Sequence, residues 1–478
     1  MTVDDITALG ATELSRRIAA RELSCSEVME AFLTRIERYN GAVNAIVSLR
    51  EPGELRAEAR AADEALASGN RHGWLHGLPV AIKDLEATRG LRTTQGSPLF
   101  ADDVPESDSP VAARIRAAGA IITGKANVPE FGLGSHTFNP VFGPTRNPYD
   151  TALSAGGSSG GAAAALALRM LPVADGSDMM GSLRNPAAFN NVYGMRPSFG
   201  RVAGDPEGEL FLRQLSTAGP MARNIDDLAN LLATLSGYDP RAPLSLGEEL
   251  VTTAPVRSGP KIGWIGDWNG AYPTEPGILA LCRSALAVFE SAGGHVEEIV
   301  PDFPPERIWQ SWCTLRHWLV AGSLGQHHTD PASRGRLKPE VIWEIEQANT
   351  LSANDLYAAS ETRSDWFRTA LALFERFDFL ALPSAQVFPF DVNQRWPQTI
   401  GSHRMDTYHR WMEVVVPPGL IGLPVIGLPA GFNDGGLPTG VQLVGPPRAD
   451  AEVLAAARLY HHATDWPARR PPPEPLTP

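Results

Sequence analysis

Cysteine is scarce and falls into no pattern. Cys25, Cys282 and Cys313 are odd in number and far apart, which matches neither a disulfide framework nor a zinc-binding spacing. Positive charge is also short. Against 54 aspartates and glutamates stand 41 lysines and arginines, a formal net charge of −13. That balance argues against nucleic acid or an anionic membrane as the main partner. No run is apolar for long enough to span a bilayer. The N-terminus lacks an apolar signal core, and Arg16-Arg17 leads into residues too polar for a twin-arginine signal. A reducing, cytoplasmic setting is expected. Repeats, low-complexity blocks and evident linkers are missing as well. Short apolar strands alternating with helical stretches then point to α/β architecture, in a single large domain over residues 1–478.

What the chain has in abundance is small residues in one place. Ser154–Ser182 reads SAGGSSGGAAAALALRMLPVADGSDMMGS. It holds two serine-bearing loops, Gly156–Gly161 and Asp178–Ser182, on either side of an alanine-rich helical run at Ala162–Met170. Glycines let backbone N–H groups face an anion at close range. Upstream, Leu78–Ile82 is an apolar strand that ends in Lys83-Asp84. A lysine at the end of a buried strand is unusual without a partner; snorkelling, or pairing with Asp84, is the structural alternative.

Other elements frame this stretch. Ser24 and Glu27 form a capping box for a helix that Asn40-Gly41 should stop. Thr12 is the expected cap of the helix before it. Residues 131–149 are rich in Gly, Pro, Asn and aromatics, so they either pack over a core or line a pocket. Residues 301–411 carry seven of the eleven tryptophans, expected mostly in the core with some reaching a binding cleft. Two short strands around Asn433–Gly436 read as a hairpin, and a helix at Ala451–His462 closes the fold.

Several motifs fail on inspection. Val80–Lys83 imitates the lysine strand of a protein kinase, but no glycine-rich loop, HRD or DFG accompanies it. Gly157–Gly161 satisfies GxSxG with Ser159 central, yet no buried strand precedes it. GGSSGG lacks both the GK[ST] ending of a phosphate loop and the GxGxxG spacing. His327-His328, His461-His462 and the Cys313/His317 pair fit structural or solvent-facing roles better than metal ligation. What remains is a lysine and two serine loops. Serine needs a base, and lysine serves only when neutral. Its pKa would have to fall by about 3 units from a reference near 10.4, a shift of the sign that burial supplies.

LHGLPVAIKD at 75–84, GGSSGGAAAA at 156–165 and SDMMGSLRNPA at 177–187 resemble the amidase signature family. The likeness extends to TTQGS, AGAIITGKANVPEFG, FGPTRNPYD and the C-terminal GLPVIGLPAG and GLPTGVQLVG, and is densest over about 74–222. The resemblance implies a central twisted mixed β-sheet with helices on both faces. It implies that Lys83, Ser158 and Ser182 are the catalytic lysine, the serine held by a cis peptide bond, and the acyl nucleophile. Backbone N–H groups of Met179, Met180, Gly181 and Ser182 would hold the oxyanion, with Ser159, Asp178 and Arg184 in support. No metal or organic cofactor is implied. The substrate would be a small amide, apolar or aromatic to judge from Phe131, Phe138, Phe142 and the tryptophans. A homodimer is common in such a family. Two alternatives stay open: the glutaminase component of a tRNA-dependent amidotransferase, and a catalytically weakened binding protein. The last is raised by Met180, which stands where the family usually has glycine. Methionine would be strained there if φ must be positive, or could floor an apolar pocket, the reading favoured here.

Overall fold

The computed structural model describes residues 1–255 and 257–473. Three strands, β1 (Ile46–Val47), β2 (Pro79–Lys83) and β3 (Ile121–Ala126), form a small sheet in the order β1-β3-β2. Eight more make a large mixed sheet: β4 (Val173–Asp178), β5 (Tyr193–Arg196), β6 (Thr217–Ala222), β7 (Lys261–Trp264), β8 (His295–Glu298), β9 (Phe379–Pro383), β12 (Val425–Phe432) and β13 (Pro438–Val444). Their order is β4-β6-β5-β12-β13-β9-β7-β8, and pairing is parallel only at the β9-β7-β8 end. A separate two-stranded ladder, β10 (Thr399–Ile400) with β11 (His403–Arg404), lies in the tryptophan-rich region.

The central strands read as unbroken apolar runs because both their faces are covered. All eight residues of β12 are buried. Its Pro429 sits beside a register shift between Pro429 and Gly431, where a strand tolerates proline. Helix Arg184–Asn190 packs on one face of β12 and β13. Helices Ile278–Ser291 and Asp450–Thr464 pack on the other, where Tyr460 donates to the Pro429 carbonyl at 2.6 Å. The α/β architecture with a large mixed sheet is thus the observed fold.

Local expectations hold unevenly. The Ser24–Glu27 capping box forms at the start of Cys25–Val43. That helix runs past Asn40-Gly41 and ends on Asn44 in the left-handed conformation; the Asn40 side chain instead accepts from the Ala45 and Ile46 amides. Thr12 is no cap either. Helix Ala11–Ala19 starts at Gly10, and Asp227 from a distant helix accepts from the Ala11 and Thr12 amides at 2.7 and 2.8 Å. Tertiary packing supplied the acceptor that local sequence lacked.

Candidate active site

The two sheets meet where β2 runs beside β4. The Lys83 N–H donates to both carboxylate oxygens of Asp175, at 3.0 and 3.3 Å, so a side chain bridges the seam where no strand ladder does. Burial pushes the Asp175 carboxyl up from the usual range. From the end of β2 the Lys83 side chain enters a fully buried pocket of hydroxyls. Its Nζ lies 2.9 Å from Ser158 Oγ, 2.9 Å from Ser159 Oγ and 3.0 Å from Ser177 Oγ. Burial lowers its pKa to about 8, with Asp175, Glu86 and Asp178 opposing that shift. The snorkelling alternative is excluded, and Asp84 turns instead to the Thr94 hydroxyl and amide.

The GGSSGG loop is fixed by close approach. The Gly157–Ser158 peptide is cis. Helix Gly160–Ala167 starts directly after the serine pair and is buried throughout. A Cβ at Gly161 would meet the Asn127 amide nitrogen at 2.3 Å, so only glycine fits. The Ser159 N–H donates to the Ser182 carbonyl at 3.2 Å, which ties the first serine loop to the second.

The second loop is built on Asp178. Its carboxylate accepts from the Gly181 and Leu183 amides at 2.9 and 3.2 Å, and from Arg184 Nε and Nη2 at 3.0 and 2.9 Å. Burial pushes this carboxyl up, but Arg184, aided by Arg196, outweighs it and holds the pKa at about 2. Arg184 also reaches the Val415 carbonyl at 2.9 Å and Gln442 at 2.5 Å. Arg196 donates to the Asp178 carbonyl. Asp178 and Arg184 therefore hold the loop. Gly181 takes φ +77°, and Met180 is not among the residues of positive φ, so methionine at 180 carries no left-handed strain. The Gly181 N–H is committed to Asp178, which differs from the anion-facing direction expected of it.

Ser158, Ser177 and Ser182 border one cavity of about 90 Å³ whose walls include Leu85, Phe131, Met180 and Met412. Met180 belongs to one buried apolar cluster with Trp411, Met412 and Val415. A larger chamber of about 360 Å³ shares Phe131, Leu133, Ser177, Met179 and Ser216 with this cavity. Of the three phenylalanines expected at the pocket, only Phe131 lines it. Phe138 packs on His136 and lies under Arg395, and Phe142 lies under Arg92. Among the described residues no tryptophan lines the cavity; Trp309, Trp312, Trp366 and Trp411 are core. The tryptophan-rich helices contribute Arg316 to the wall, and the loop before Arg410–Val415 contributes His409.

Asp175, Ser177 and Arg316 carry no mark of their own in the sequence that singles them out, and His409 is one of several histidines that nothing distinguishes. Ser177 lay inside the stretch already singled out, and the DGSD alternation of β4 could have placed it on the lysine's side. Asp175 sits on that same strand face. Arg316 and His409 are brought in by tertiary structure alone.

The Amidase family model matches residues 27–454. Over 480 residues the chain is 32% identical to an acylamidase of Rhodococcus erythropolis, with 98% of each chain covered. It is 34% identical over 489 residues to a glutamyl-tRNA(Gln) amidotransferase subunit of Moorella thermoacetica, covering 97% of this chain and 98% of that one. The solved structure of a bacterial aryl acylamidase of the amidase signature enzymes superposes with a TM-score of 0.88 at 30% identity, covering 97% and 99%.

Proposed function

This chain belongs to the amidase family of hydrolases, and we propose that it cleaves small amides with an apolar or aromatic acyl group through a seryl acyl-enzyme. One observation supports the reading: Lys83, its pKa lowered by burial, touches Ser158, which borders the same cavity as Ser182. Neutral Lys83 takes the Ser158 proton, and Ser158 takes that of Ser182. Ser182 Oγ bonds to the amide carbon, whose π electrons move to oxygen. Backbone N–H groups of Met179, Met180 and Ser182 receive that oxyanion, Gly181 being turned to Asp178. The tetrahedral centre collapses, the C–N bond breaks and the proton returns through Ser158 to the departing amine. Water then repeats the sequence on the acyl-enzyme. The apolar walls at Leu85, Phe131, Met180 and Met412 suit the acyl group, and the larger adjoining chamber suits the amine.

The test is turnover of p-nitroanilides by the wild type and by Ser182→Ala. Loss of about 10⁴-fold or more in kcat is expected, with a fluorophosphonate labelling Ser182 of the wild type. Full turnover by the alanine variant overturns the reading.

A second reading rests on the full-length relationship to the Moorella protein: a glutaminase working within an amidotransferase. Glutamine would need a carboxylate for its α-ammonium. Glu344, close behind the cavity wall, is already held by Arg316 and Tyr408. Glutaminase activity that appears only with partner proteins would favour this reading over the first.

A further inference from the structure

Besides its serines, the cavity wall carries a second polar group of side chains that is incompletely satisfied. The Arg316 side chain is 4% exposed and has three partners. Nε donates to Glu344 Oε1 at 2.6 Å, Nη2 donates to the Tyr408 hydroxyl at 2.7 Å, and Nη1 meets only the Met179 sulfur at 3.0 Å. A thioether is a weak acceptor, and a buried guanidinium N–H without an oxygen forgoes a charge-assisted bond. The guanidinium cannot swing away. It lies over the Trp312 ring at 5.0 Å, and Tyr408 also donates to Glu344 at 2.6 Å.

Beside it on the same wall is His409. Its Nδ1 is 2.8 Å from the Thr407 hydroxyl, and its ring is packed edge-on against Trp309 and Trp312. Its Nε2 has no hydrogen-bond partner and stands 3.6 Å from Glu344 Oε1. Two buried nitrogens, each without a good acceptor at hydrogen-bonding distance, thus belong to residues that border the cavity that holds Ser182. Leaving such groups unmet is costly. The mechanism above uses neither.

We propose that Arg316 and His409 are specificity-determining residues: they anchor a neutral oxygen acceptor, a carbonyl or ether, on the acyl part of the substrate, the oxygen replacing Met179 Sδ on Arg316 Nη1. The acceptor is neutral because Glu344 already balances the guanidinium charge. This rests on the hydrolase reading and narrows it from apolar amides to acyl groups with an apolar body and one oxygen. Met179, an unbranched side chain, yields its position readily.

Paired p-nitroanilides that place oxygen at successive positions test it, such as methoxyacetyl against butanoyl and 4-oxopentanoyl against 4-methylpentanoyl. In at least one pair the oxygen-bearing acyl group is expected to show a kcat/KM roughly ten- to hundredfold higher. That ratio should collapse toward one in Arg316→Met/Glu344→Gln, a double variant that removes the guanidinium together with its carboxylate partner, and should fall in His409→Phe. Alkyl groups that match their partners throughout overturn the proposal, as does a ratio that survives both variants. A preference for carboxylate-ended acyl groups, or one seen only when oxygen is moved to the amine half, overturns it equally. If no anilide is turned over, the hydrolase reading fails on its own. Calorimetric binding of the same paired amides then decides the anchor: tighter binding of the oxygen-bearing member, lost in the double variant, supports it, and equal binding refutes it.

Discussion

At the scale of single residues, the proposed mechanism makes Lys83 set how activity follows pH. The form it requires is neutral, and burial brings the lysine's pKa down to about 8. The neutral fraction grows as pH rises through that value, so kcat/KM should climb about tenfold per pH unit below about 8 and level off above it. A pH–rate profile already flat from pH 6 would contradict the assignment. The same shift has a stability sign. Above about 8 the unfolded chain, with a lysine pKa near 10.4, holds the proton that the folded protein has released. This group's contribution to stability therefore improves from about 8 to about 10.4. Met180 is the other telling residue. Its ordinary backbone and its place on the cavity wall, in one apolar cluster with Trp411, fit it to fill the proposed acyl site. Met180→Ala should cost about 2–3 kcal/mol in urea denaturation and shift preference toward bulkier acyl groups. An unchanged acyl profile would remove Met180 from the pocket wall. The lysine and the two serine loops were readable because composition at those positions departs from what a fold alone needs. Arg316 and His409 were not, since an arginine or histidine in a tryptophan-rich helical stretch looks the same whether it borders a cavity or solvent.

Elements were legible where their signals were local. The capping box at Ser24 and Glu27, the strand ending at Lys83 and the hairpin at the C-terminus all follow from nearby residues. Expectation failed where a distant group intervened. Asp227 serves two helices at once: it lies in the first turn of Ile225–Leu235 and accepts from the first amides of Ala11–Ala19. Its replacement by alanine should cost about 2 kcal/mol, read as a lower thermal midpoint with kcat unchanged, because the residue is remote from the cavity. A midpoint equal to the wild type's would show that water caps the helix as well. The aromatic loop at 131–149 divides in the same way. Phe131 faces the cavity while Phe138 and Phe142 are taken up by neighbouring arginines, a choice that no pattern within the loop encodes.

For the molecule as a whole, alternating short strands and helices sufficed to name the architecture, but not the strand order. The partners of β12 are β5 and β13, and β4 lies at the far edge from β8. Non-local pairing of this kind has no local signature. We propose that the described residues form one cooperative unit, because chain segments from 173 to 444 share one sheet and the N-terminal helices belong to the same hydrophobic core. Calorimetry should then give a single unfolding transition; two separated ones would divide the chain. Among the described residues no helix is long and apolar enough to cross a membrane.

The seam between the two sheets has a consequence for how the protein is made. Lys83 arrives with the small sheet, the serines arrive with the next stretch of chain, and the wall residues Arg316, His409 and Met412 leave the ribosome late. The lysine and the serines are thus synthesised well before the chain that completes their sheet and holds Arg184 in place through Val415 and Gln442. A fragment ending before residue 305 holds both serines, the lysine and the walls at Leu85, Phe131 and Met180, but it lacks β9, β12 and β13 and the wall residues Arg316, His409 and Met412.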